Sequence, residues 1–161
     1  MVLRNQVEWA LHCCGVLLGL GPDEYLPTAR LAEYHGVPKE YLSKALQSLA
    51  QAGLVESTLG PRGGYRLAKS PRQISFLDVV EAVEGKTSTF NCAEIRRNNP
   101  CLTKTEKKFG KICGIARVMY RADEAWRKEL RSVSLEDLGN SARDDIPAEI
   151  LQRGLQWLGS R

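Results

Sequence analysis

Five cysteines and one glutamate–histidine pair are the residues of this chain best equipped for inorganic or redox chemistry. The thiols are Cys13, Cys14, Cys92, Cys101 and Cys113, the last three separated by nine and twelve positions. Iron-sulfur clusters are held by thiolates on a loop able to wrap them, with imidazole or carboxylate replacing some of the thiolates in certain sites. Glu8 and His12 are four residues apart and share one face of a helix, which continues through Gly15 and Gly19, where side-chain bulk is removed as expected under a closely packed loop. The same donors suit zinc. Without metal, Cys92, Cys101 and Cys113 make a disulfide-forming thiol switch, and Glu8 and His12 are then a solvated stripe. Cys13 and Cys14 read as small hydrophobic core residues.

Composition narrows the setting. An odd number of cysteines and no persuasive export signal argue against a disulfide framework, because Glu8 and His12 interrupt the start of the apolar stretch Trp9–Leu20. No segment approaches the roughly 20 apolar residues of a membrane span. A soluble, cytoplasmic chain with no membrane partner is expected. A hydrophobic content of 43% in 161 residues supports one real core, and a net charge of +4 is compatible with nucleic acid without demanding it. Only two histidines are present, and no nucleophile elbow, phosphate loop or metalloprotease motif accompanies them, so no catalytic constellation is expected and the chain is read as a non-enzyme.

The elements that must position these groups follow from periodicity. Val7, Ala10, Leu11, Cys14, Leu17 and Leu18 recur at helical spacing from Gln6 to Leu20. Thr28 reads as the N-cap of a short helix that ends at His35-Gly36, with His35 a surface or capping residue. A third helix runs from near Pro38 to Gln51, with Gly53 as its terminator and Leu42, Ala45, Leu46 and Leu49 on its buried face. Leu54–Ser57 and Tyr65–Leu67 read as strands around a glycine-rich turn. Ser75 caps a helix from Phe76 to Glu84, with Asp78 completing a capping box and Gly85 ending it. Polar residues 86–113 form a long loop. From Gly114 to Val133 an apolar seam of Ile115, Met119, Ala122, Trp126 and Val133 asks for a partner. Ser134 caps one further turn through Leu138, and a loosely attached tail follows.

The fold class expected is mainly α with a small β-hairpin wing, a winged helix-turn-helix followed by a long C-terminal dimerisation helix. The expected divisions are 1–85 (DNA-binding), 86–113 (cluster-binding loop), 114–138 (dimerisation helix and a turn) and 139–161 (tail). A recognition helix presents short polar and basic groups to a major groove, and a wing reaches adjacent phosphates or the minor groove. The candidate DNA contacts are Thr28, Lys39, Tyr41, Ser43, Lys44 and Gln47, with Ser57, Gly60, Pro61, Arg62 and Gly63 of the wing. Singly, each is more often a solvated polar residue; their order along the chain favours a reader of double-stranded DNA.

Tyr41-Leu42-Ser43-Lys44, Gly53-Leu54-Val55-Glu56-Ser57, Gly63-Gly64-Tyr65-Arg66-Leu67 and Asp78-Val79-Val80-Glu81-Ala82-Val83-Glu84-Gly85 strongly resemble the iron-sulfur cluster regulator family of winged-helix repressors. The resemblance covers Gln6 to about Leu138 and implies a homodimer held by the long helix. Leu59 stands where some relatives carry an arginine. Val7–Cys14, Cys92–Arg96 and Cys113–Arg117 look like the redox-sensing branch of that family. That likeness implies a 2Fe-2S cluster across the dimer interface, with Glu8 and His12 of one subunit joining Cys92 and Cys113 of the other. Cys101 is then a spare thiol or an alternative ligand. Zinc or a metal-free thiol switch are the competing expectations for the same residues.

Overall fold

The computed structural model describes residues 2–61 and 63–160. Helices α1 (Asn5–Leu17), α2 (Thr28–His35) and α3 (Lys39–Gln51) precede a two-stranded antiparallel sheet of β1 (Val55–Thr58) and β2 (Gly64–Leu67). Helix α4 (Phe76–Glu84) follows a 3₁₀ turn, and a long loop carrying a second 3₁₀ turn leads to α5 (Gly114–Ser132), α6 (Leu135–Asp145) and α7 (Ala148–Gly159). The fold is a winged helix-turn-helix with a helical C-terminal extension.

The core is built around α1. Ala10, Cys13 and Cys14 are fully buried, with Val7 and Leu17 nearly so, and this face packs on α3 and α4. Small side chains at the centre of the stripe let the helices approach closely without voids. From α3, Leu42, Ala45, Leu46 and Leu49 meet it, the four residues read from periodicity. Gly53 follows α3 in the left-handed region, at φ 68°, as its terminator role requires.

The wing is tied to the helices by backbone. Val55 pairs with Leu67 and Thr58 with Gly64, and Leu26 exchanges hydrogen bonds of 2.9 and 3.0 Å with Tyr65 as a third, one-residue strand. A side chain at Gly64 would meet the Leu26 carbonyl at 2.3 Å, so this close approach requires glycine. The same bridge holds the chain extended into α2, which places Pro27, not Thr28, at the N-cap; Thr28 is the first helical residue and makes no side-chain cap.

Two capping boxes sit side by side. Ser75 and Ser134 each accept a 3.2 Å bond from the backbone N–H three residues on, while Asp78 and Asp137 accept bonds of 2.8 Å from the cap N–H groups. Phe76 N–H donates to Val133 and Leu135 N–H to Ile74, joining the starts of α4 and α6.

Further expectations change in three dimensions. Helix α1 stops at Leu17, because the Gly19 and Leu20 N–H groups bond three residues back, to the Val16 and Leu17 carbonyls, instead of four. The single turn expected after Ser134 is the start of the 11-residue α6, since nothing breaks the pattern before Pro147 and Gly139 packs against Leu18. The loosely attached tail is instead α7, docked on α2: Leu158 is buried, Trp157 stacks on Tyr34 at 5.7 Å, and the Arg30 guanidinium lies 3.9 Å from the Trp157 ring centre. The α5 seam also divides. Trp126 and Leu130 pack into the chain's own core, whereas Ile115, Val118 and Met119 stay exposed.

Ser134→Ala is expected to cost about 1 kcal/mol of stability by loss of its cap. Gly64→Ala is expected to cost more, because backbone must move; chemical denaturation of the two variants checks the order.

Candidate nucleic-acid interface and sensor site

The outer face of α3 carries Lys39, Tyr41, Lys44 and Gln47, all exposed, with Ser43 half-buried at its edge. The Lys44 ammonium lies 5.6 Å from the Tyr41 ring centre, close enough for a cation–π contact that holds both on one surface. Thr28 is half-buried at the start of α2. In the wing, Ser57, Gly60 and Pro61 are exposed, whereas Gly63 is buried, its N–H donating to the Gly60 carbonyl at 2.9 Å. Gly63 shapes the turn from beneath. Arg62 lies outside the described residues.

Two other basic residues near the reading head are occupied internally. Arg66 pairs with Glu56, bonds the Pro22 carbonyl and covers the Tyr25 ring at 4.7 Å. Arg30 of α2 donates to the Trp157 and Ser160 carbonyls and pairs with Glu33 at 3.2 Å. The sequence gives no hint of the Arg30 clamp, whose partners lie more than 120 positions away.

Glu8 and His12 project from the exposed side of α1, opposite Cys13 and Cys14. The His12 ring lies 5.7 Å from that of His35. His35, expected as a surface or capping residue, is half-buried where α2 turns into α3, and its Nε2 is enclosed without a hydrogen-bond partner. Burial, with the neighbouring His12 adding, lowers its pKa and keeps it neutral. Gln6, on the same helix, donates to the Tyr41 carbonyl at 3.4 Å. Thus α1 touches both the turn and the start of the recognition helix.

In the long loop one residue gathers what sequence spacing leaves apart. Arg96 pairs with Glu94, bonds the Lys111 carbonyl at 3.0 Å and stacks over Phe109 at 4.2 Å. Its charge reaches both Cys92 and Cys113. Glu94 has a left-handed backbone, at φ 50°, which starts the 3₁₀ turn Ile95–Asn98. Farther back, Arg127 joins Glu81, Asp123 and the Thr87 carbonyl, pinning the loop's origin between α4 and α5.

The cysteines separate into two chemical kinds. Burial pushes Cys13 and Cys14 up to about 12, with the Cys13 charge adding at Cys14, so both stay protonated and inert. Cys113 is the N-cap of α5, where the Ala116 and Ile115 N–H groups and, more weakly, Arg96 hold its thiol below the usual range. Cys92 is half-buried and Cys101 fully exposed. Among the described residues, no group of three or more His, Cys, Asp or Glu converges within one chain in a way that could hold a metal ion. The Glu8–His12 pair and the cysteine loop lie on separate parts of the chain.

The Rrf2 family profile, described as an iron-dependent transcriptional regulator, matches residues 3–141. The chain belongs to the Rrf2 family. It is 30% identical over 138 residues to the HTH-type transcriptional regulator NsrR of Geobacillus kaustophilus, spanning 86% of this chain and 89% of that one. Among solved structures it resembles IscR of T. potens, with a TM-score of 0.69 and 22% identity over 92% of this chain and 93% of that one. It likewise resembles CymR, the global cysteine regulator of B. subtilis, with a TM-score of 0.67 and 22% identity over 88% and 98% of the two chains. The family are transcriptional regulators that bind DNA, not enzymes, and no helix of the described residues is long and apolar enough to cross a membrane.

In metal-free protein at pH 7, a thiol-alkylating reagent is expected to label Cys113 readily and to spare Cys13 and Cys14 until the chain is unfolded; peptide mapping reads the order. Because folding raises the pKa of the two core thiols above their ordinary 9.0, their contribution to stability is complete below pH 9 and is lost as pH climbs towards 12. Thermal melts across that window should fall accordingly.

Proposed function

We propose that this Rrf2 protein is a redox-responsive repressor, a homodimer whose grip on a double-stranded operator is set by a 2Fe-2S cluster at the dimer interface. Glu8 and His12 of one copy and Cys92 and Cys113 of the other are the ligands, with Cys101 as an alternative. One observation carries this reading: the donors fall into two separate groups, Glu8 and His12 exposed on α1 and Cys92 and Cys113 half-buried along the loop and at the start of α5, with no three of them converging within one chain.

The donor set fits such a group. Cys113 is held towards its thiolate form by the start of α5, and Arg96 offsets the negative charge that two thiolates would gather. An imidazole and a carboxyl group on one helix face complete a mixed set, and histidine ligation raises the reduction potential of such centres. When bound, the cluster supplies a one-electron couple near the seam between the copies. Zinc would engage the same atoms without that couple, and the three loop cysteines alone would give a thiol switch.

The chain's own contacts explain how an event at Glu8 and His12 reaches DNA. Helix α1 bears on the helix-turn-helix through the His12–His35 ring contact and the Gln6–Tyr41 bond. A small displacement of α1 moves α3 with it, since their shared face is close-packed and cannot absorb the shift. In a two-fold dimer this changes the spacing of the two recognition helices, to which half-site binding is sensitive. Lys39, Tyr41, Ser43, Lys44 and Gln47 face the major groove, Thr28 the flanking phosphates, and the wing residues Ser57, Gly60, Pro61 and Arg62 the adjacent backbone or minor groove, with Gly63 shaping the turn.

Anaerobically purified protein is expected to be coloured and to contain iron and sulfide, and oxidised and reduced forms should differ in affinity for a duplex selected from a random library. Glu8→Ala, His12→Ala, Cys92→Ala and Cys113→Ala should each alter the visible spectrum, whereas Cys101→Ala should largely preserve it. Colourless, zinc-loaded protein would overturn the cluster assignment. Lys44→Ala should weaken operator binding by about 1 kcal/mol or more, and if Lys44 contacts phosphate it should lower the salt slope by about one; salt titrations of binding check this.

A further inference from the structure

We infer that Arg30 is a DNA-phosphate contact held in reserve, and that the C-terminal end of α7 withholds it by offering oxygen acceptors in place of a backbone phosphate. The inference rests on the DNA-binding helix-turn-helix alone and is independent of what Glu8, His12 and the cysteines hold.

Arg30 lies in the first turn of α2, two residues after Thr28. In a helix-turn-helix the first helix crosses the sugar-phosphate backbone, and its N-terminal turn contributes free N–H groups and the positive end of the helix dipole. A guanidinium in that turn stands where the field already favours an anion, and its planar fork matches phosphate. Here the fork is filled from within the chain. It donates to the Trp157 carbonyl, to the Ser160 carbonyl at 2.9 Å and to the Ser160 hydroxyl at 3.4 Å, while the Trp157 ring centre lies 3.9 Å away. Glu33, at 3.2 Å and largely exposed, is its one ionised partner among the described residues. The three acceptors at the end of α7 are neutral. A phosphate offers the same oxygen acceptors together with a negative charge, so it competes for Arg30 on better terms.

Helix α7 is attached in a way that lets it yield. It lies beyond the family profile, which stops at residue 141. Of Ala148–Gly159 only Leu158 is buried, and Ile150, Leu155 and Trp157 are 49, 44 and 37% exposed. Its hold on α2 is specific: Trp157 stacks on Tyr34 at 5.7 Å, and a side chain at Gly154 would meet the Tyr34 hydroxyl at 2.6 Å. It joins α6 through Ile146 and Pro147, where the backbone is extended and proline cannot continue the α6 ladder, so α7 can swing on this joint with α6 unchanged. Through Leu151 and Leu155 its inner face lines, with α1 and α6, a predominantly apolar groove of about 680 Å³ that also contains Glu8 and His12. One helix thus touches both the candidate sensor face and the Arg30 clamp.

Full-length Trp157→Ala tests this, with the duplex selected from the random library and a random-sequence duplex as the two probes. Hydrogen exchange is expected to show α7 losing protection while the preceding helices keep theirs; protection retained in α7 would overturn the clamp. Both duplexes should be bound several-fold more tightly, with the salt slope steeper by about one per copy, as one added phosphate contact requires. Adding Arg30→Ala to that variant should return affinity and slope to those of the unsubstituted protein, whereas Arg30→Ala alone should change neither. An unchanged slope in Trp157→Ala, or a steep slope that survives in the double variant, would overturn Arg30 as the reserved contact. A shallower slope in Arg30→Ala alone would place the residue on phosphate with α7 still docked, and would overturn the withholding by α7.

Discussion

Everything in this molecule turns on α1 having one face committed to the core and another left free. Ala10, Cys13 and Cys14 are small enough to bring the helix close to α3 and α4, and their full burial fixes its rotation. That rotation leaves Glu8 and His12 on the opposite side. A slip of one residue would turn the helix by about 100 degrees, burying charge and exposing the thiols. The tight packing therefore selects which groups meet solvent, and it makes α1 a rigid link between its outer face and the recognition helix behind it.

The cysteines show how environment divides one residue type into two. Cys13 and Cys14 lie in a low-dielectric core that disfavours the thiolate, whereas Cys113 stands at a helix start whose N–H groups stabilise it. Arg96 adds a fixed positive charge near Cys92 and Cys113, held by Glu94, Phe109 and the Lys111 carbonyl. A loop of 28 residues, 86–113, is thereby given a defined centre without a core of its own. Its origin is separately anchored by Arg127.

The C-terminal helix links regions that the chain separates widely. By gripping Arg30 and Tyr34, α7 fixes the outer side of α2, and by facing α1 it forms a wall of the groove that contains Glu8 and His12. Arg30 is thus withheld from the surface that a helix-turn-helix lays against DNA. Reading head, candidate sensor face and C-terminal extension consequently share a continuous set of contacts.

The sequence by itself determined the features whose causes lie within a few residues. The Ser75–Asp78 box, the stripe of Leu42, Ala45, Leu46 and Leu49, the terminating Gly53 and the Glu8–His12 spacing are all set by helix geometry and local hydrogen bonds. Only the tertiary structure decided that part of the α5 seam, Trp126 and Leu130, packs against its own chain, that His35 faces His12, that Arg96 reaches both Cys92 and Cys113, and that the last segment is a docked helix. Periodicity states that a face is apolar or that two donors are aligned, but the surface that covers them comes from residues tens of positions away. That pairing is fixed by the packing of the whole chain, which no local pattern encodes.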